Sequence, residues 1–133
     1  MIEAVSIHRD YDTISVSMIN NCFAALALEN HDKILARSQT IARGNLAILS
    51  DWVAEQPLII WVKPKSGTTA LSKYEVPMTS HDFCVDLLKE TGVMFTPGSA
   101  LDMEGFVRIG YANNPAILQK GLKRVGQYLL KYT

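Results

Sequence analysis

Apolar residues recur along this chain at two spacings, and the change from one to the other lays out its elements. Val16, Ile19, Phe23 and Leu26 fall three and four apart, which predicts a helix over residues 15–29. The stretch 1–8 is too short to judge by periodicity, and 9–13 is polar and reads as a connection. Asn30-His31-Asp32 interrupts the first helical pattern, with Asp32 expected to cap the next helix. That next helix is the longest, over 33–55. Ile34, Ile41 and Ile48 repeat every seven residues, and Leu35, Ala42, Leu49, Trp52 and Val53 widen the stripe. Pro57 ends it.

Beyond Pro57 the pattern shortens. Leu58-Ile59-Ile60-Trp61-Val62, rich in β-branched residues and bounded by Pro57 and Pro64, predicts a strand. Residues 63–67 form a turn and 68–74 a second strand beside the first. Two lysines near Gly67 invite a phosphate-binding reading, but the Walker spacing is absent and a solvated turn accounts for them. Thr79 starts a helix as its cap, Asp82 lies in the first turn where negative charge is favoured, and Gly92 closes the helix. A third strand is expected over 93–96, a loop over 97–103 and a fourth strand over 106–112. Asn114 as cap and Pro115 at the first helical position open the last helix, whose buried stripe is Leu118, Leu122, Val125 and Leu129. Four short strands whose helices cover one face make an open two-layer sheet of the α/β (α+β) type.

The fourth strand carries the candidate chemistry. Alternate side chains of a strand point to opposite faces. Val107, Ile109 and Tyr111 therefore share one face, to be buried under helices. Arg108 goes to the other with Phe106, Gly110 and Ala112. A planar guanidinium held rigidly beside residues too small to cover it suits a bidentate grip on a carboxylate. An ordinary surface arginine, or one paired with a nearby acid, is the alternative.

Composition narrows the function classes. Hydrophobic residues make up 48% of the 133, and 13 basic residues balance 13 acidic ones. A zero net charge argues against general nucleic-acid binding, which wants a basic face. No apolar run approaches the length of a membrane span. The N-terminus lacks the pattern of a secretory signal, so a soluble, cytoplasmic protein is expected. Cys22 and Cys84 have no metal-type spacing and read as small buried hydrophobes in reducing conditions. His8, His31 and His81 are scattered and form no ligand pattern.

Four blocks together resemble a known family. Pro64-Lys65-Ser66-Gly67-Thr68-Thr69-Ala70-Leu71, the stretch 83–88, Gly92-Val93 with Pro97-Gly98-Ser99, and Arg108-Ile109-Gly110-Tyr111-Ala112-Asn113 stand in the order and spacing of the C-terminal part of class I/II pyridoxal-phosphate aminotransferases, the aspartate aminotransferase fold group. The resemblance implies a small domain over 31–133, preceded by a helical segment over 1–30 at the junction with a larger domain. It implies that Arg108 binds the α-carboxylate of an amino-acid or 2-oxo-acid substrate, and that Gly98 lets a loop turn close to the active site. A plain type I or II turn would also explain Gly98. The family's Schiff-base lysine sits in a small-residue segment that has no counterpart among Lys33, Lys63, Lys65 and Lys73. The expectation is therefore a catalytically incomplete piece of such an enzyme, binding no pyridoxal phosphate alone. Such a piece should self-associate through the apolar surface that a large domain would cover. The alternative is a free-standing amino-acid-binding or interaction module that complements a separately encoded large domain.

Overall fold

The computed structural model describes residues 2–133. The chain divides into two compact units, one ending at Arg37 and one running from Ser38 to Thr133.

The first unit is helical. Helix α1 (Ile2–Asp12) extends through residues that read as a connection; nothing between Ile2 and Asp12 breaks a helix, and their polarity reflects solvation. Helix α2 (Met18–Glu29) follows, and a single residue, Asn30, separates it from α3 (His31–Ala54). Asp32 thus lies in the first turn of α3 and is not its cap. Asn30 joins the helices, its Nδ2 donating to the Leu26 carbonyl at 2.9 Å. None of the described residues of α1 or α2 is buried, so Cys22, expected to be a buried hydrophobe, is exposed because its helix has no covered face within its own unit, whereas Cys84 is buried. The expected stripe of α3 is not buried at its start either, because Ile34 and Leu35 are about half exposed.

In the second unit the sheet is built from β1 (Ile59–Trp61), β2 (Thr69–Tyr74), β3 (Thr96–Pro97) and β4 (Phe106–Gly110), in the order β1-β2-β4-β3, with every neighbouring pair antiparallel. Helices α4 (Ser80–Thr91) and α5 (Pro115–Leu129) and the C-terminal half of α3 cover one face. Asn45, Leu49, Trp52 and Val53 are the buried positions of α3. Leu49, Trp52 and Val53 join Val107 and Ile109 of β4, Phe83 and Leu87 of α4, and Leu118, Leu122, Val125 and Leu129 of α5. The Tyr74 and Phe83 rings stack at 4.5 Å in the same core.

The predicted caps form. Thr79 Oγ1 accepts the Asp82 amide at 3.1 Å, Asn114 Oδ1 accepts the Ala116 amide at 2.9 Å, and Gly92 closes α4 in the left-handed conformation at φ 71°. The third strand is shorter and later than 93–96, because only Thr96 and Pro97 pair with β4. The following loop is partly ordered as a 3-10 turn, Gly98–Leu101.

Candidate carboxylate-binding site

Arg108 lies on β4, which is central in the sheet: Leu71 of β2 is its register partner on one side and Thr96 of β3 on the other. Its strand neighbours Val107 and Ile109 are 0% and 1% exposed, whereas Arg108 itself is exposed. The alternation dictated by the pleat therefore anchors the backbone through the covered face and sets the guanidinium on the open one. Around it on that face are half-buried Leu71, Phe106 and Thr96 and the bare Gly110. Arg108 Nη2 donates to Thr96 Oγ1 at 3.2 Å. Among the described residues no carboxylate lies within ion-pair distance of Arg108, so its charge is available to an anion from outside the chain.

Gly98 is buried at the point where β3 passes into the 3-10 turn. A Cβ there would run into the Met103 carbonyl oxygen and lie 2.5 Å from that of Phe106. The requirement is for space: the carbonyl of Met103, just before β4, and that of Phe106, its first residue, close over the glycine, and the Met103 amide returns a hydrogen bond to the Gly98 carbonyl at 2.9 Å. Gly98 thus belongs to the same β3–turn–β4 unit that carries Arg108.

Three polar residues that periodicity did not single out hold this unit in place. Glu104 accepts the Ser80 amide at 2.6 Å and the Ser80 hydroxyl at 2.8 Å, and Ser80 Oγ accepts the Ser99 amide at 3.0 Å. The turn is thereby tied to the start of α4. On the other side Asn45, 0% exposed, donates from Nδ2 to the carbonyls of Tyr111 at 2.6 Å and Asn113 at 2.7 Å, pinning the chain as it leaves β4. Asn45 did carry a signal, an amide on the buried phase of an apolar helix. Ser80 and Glu104 carried none, being 24 residues apart and each unremarkable locally.

The bonds from the Ser80 amide and hydroxyl hold the Glu104 carboxyl below its usual range. Burial, then the Glu104 charge, pushes the Tyr74 phenol up to about 12. A carboxyl depressed by folding contributes stability that is present above its unfolded value, about 4.3 for glutamate. That contribution is lost as pH falls through the lower folded value. Melting temperatures taken from neutral to strongly acid pH should therefore fall on the acid side, and Glu104→Gln should flatten that fall while lowering stability at neutral pH. An unchanged acid slope in Glu104→Gln would show that Glu104 has no part in it.

No family model matches the chain. Individual proteins do. Capreomycidine synthase of Streptomyces vinaceus is 30% identical over 122 residues, which is 91% of this chain and 31% of that protein. A pyridoxal-phosphate-dependent aminotransferase of Streptococcus suis superposes with a TM-score of 0.90 at 36% identity, over 98% of this chain and 35% of its own. The chain belongs to the aspartate aminotransferase fold group. It has the architecture of the C-terminal small domain of those enzymes, with the same open four-stranded sheet. The aromatic aminotransferase of Pyrococcus horikoshii matches 82% of this chain and 30% of its own, with a TM-score of 0.75 and 27% identity. The chain spans about a third of the length of the relatives it matches. Pyridoxal phosphate is the cofactor of that family. Every lysine among the described residues is exposed: Lys63 donates to Ser50 Oγ, Lys73 pairs with Glu75 at 3.4 Å and Lys131 with Glu90 at 2.9 Å. Among the described residues no helix is long and apolar enough to cross a membrane.

Proposed function

We propose that this chain is the substrate-carboxylate-binding part of a pyridoxal-phosphate-dependent, aminotransferase-like enzyme acting on an amino acid, and that it has no activity alone. The observation carrying the reading is Arg108, a guanidinium with no acidic partner among the described residues, fixed on the central strand and open to solvent. Arg108 reads the carboxylate common to amino acids and 2-oxo acids and leaves their side chains unread. A bidentate, charge-assisted pair contributes about 1.5–3 kcal/mol. Even the upper figure corresponds to a dissociation constant no tighter than several millimolar, by affinity arithmetic.

The residues of this chain do not fit the cofactor. A lysine that condenses with a carbonyl needs a desolvated setting that lowers its pKa, and exposed, solvated lysines support the reading that the condensing lysine belongs to a larger partner domain. The exposed Val16, Ile19, Phe23 and Leu26 support assembly with that domain and self-association in its absence. The free thiols of Cys22 and Cys84 suit the reducing cytoplasm.

Titration with pyruvate, followed by nuclear magnetic resonance of the backbone amides and the arginine side chains, tests the reading. The wild-type chain is expected to saturate in the millimolar range or above. Arg108→Gln should bind at least about tenfold more weakly, with stability changed by no more than about 0.5 kcal/mol at this exposed site. Equal binding by the two proteins sinks the proposal. Micromolar binding of an amino acid without cofactor would favour a free-standing binding module.

A further inference from the structure

The bond from Arg108 Nη2 to Thr96 Oγ1, 3.2 Å long, joins two register partners across β3 and β4. A guanidinium has two edges that can grip a carboxylate with paired hydrogen bonds. One edge combines Nε with Nη2, the other Nη1 with Nη2. Nη2 is common to both and gives one hydrogen to each. An acceptor that takes one Nη2 hydrogen therefore spoils one edge and leaves the other complete. On the opposite flank the register partner is Leu71, whose side chain is only hydrocarbon. Thr96 is half-buried and β-branched, so its χ1 is stiff and its hydroxyl is held in place.

We propose that Thr96 is a positioning residue: by accepting from Nη2 it fixes the Arg108 rotamer and commits the guanidinium to a single bidentate edge, and so to one orientation of the bound carboxylate. This inference rests on the reading of Arg108 as a carboxylate site. It adds a residue that touches no ligand and acts only through the arginine.

Four versions of the full chain, titrated with pyruvate, separate the possibilities: wild type, Thr96→Val, Thr96→Ser and Arg108→Gln. Loss of one orienting hydrogen bond should weaken pyruvate binding by Thr96→Val about 3- to 10-fold. Thr96→Ser, which keeps the acceptor, should stay within about twofold of wild type. Without ligand, the Arg108 Nε–H signal should exchange with solvent faster in Thr96→Val than in wild type or Thr96→Ser. A purely structural threonine would not give that pattern. If Thr96→Val binds like wild type while Arg108→Gln does not, Thr96 has no positioning role and the carboxylate reading stands. If Thr96→Ser is as weak as Thr96→Val, the methyl group matters and the inference falls. If Arg108→Gln binds like wild type, or wild type does not bind, the carboxylate reading fails and takes this inference with it.

Discussion

Gly98→Ala is expected to lower the stability of the chain by about 3 kcal/mol or more, in the range reserved for overpacking against groups that cannot yield. At about 4 °C of melting temperature per kcal/mol for a chain of this size, the loss is about 12 °C. The cause is spatial. The new methyl group would meet two backbone carbonyls, those of Met103 and Phe106, and neither can swing away as a side-chain tip could. Relief requires the 3-10 turn to move, which breaks the return bond from Met103 and strains the Ser99 contact with Ser80. Pyruvate binding should decline as well, since the same carbonyl of Phe106 leads into the strand of Arg108. Thermal melts and the pyruvate titration read the two effects; a variant that melts within 2 °C or so of wild type would mean that the turn adapts freely.

Asn45→Ala should cost about 2–3 kcal/mol, or roughly 10 °C. Two short hydrogen bonds disappear, a cavity replaces the amide, and the Tyr111 carbonyl is left without that partner. Asn45→Asp should be worse at neutral pH, because a carboxylate would face two carbonyl oxygens at a position that is 0% exposed. Stability of Asn45→Asp should then recover part-way as the pH is lowered and the acid is protonated, a trend opposite to that expected from Glu104. Chemical denaturation across pH separates these outcomes, and a flat response in Asn45→Asp would exclude this account of the clamp.

The parts of this fold that were legible in the sequence are those governed by local rules. The caps at Thr79 and Asn114, the stop at Gly92 and the stripe of α5 follow from chemistry within a few residues. The two-sided character of 106–112 follows from the pleat alone, which is why Arg108 could be placed on the open face. Its role was suggested by resemblance and alternation together. What could not be read depends on pairing at a distance. The third strand was set one to three residues early because Val93, Met94 and Phe95 look as extended as Thr96, and only the register with β4 picks out Thr96 and Pro97. The contacts of Ser80 with Glu104 and of Arg108 with Thr96 join residues 24 and 12 apart with no periodic signature. At the other end of the chain, Ile34 and Leu35 continued an apolar stripe that their own unit does not bury.

The outer strands carry a consequence for how copies of this chain can meet. β3 is only two residues long and includes Pro97, which has no amide hydrogen to donate; β1 is three residues long and is flanked in sequence by Pro57 and Pro64. Short, proline-blunted margins offer a poor template for adding a further strand. Self-association that leaves the fold intact should therefore proceed through side-chain packing and show no gain in extended structure by infrared spectroscopy, setting it apart from fibril growth.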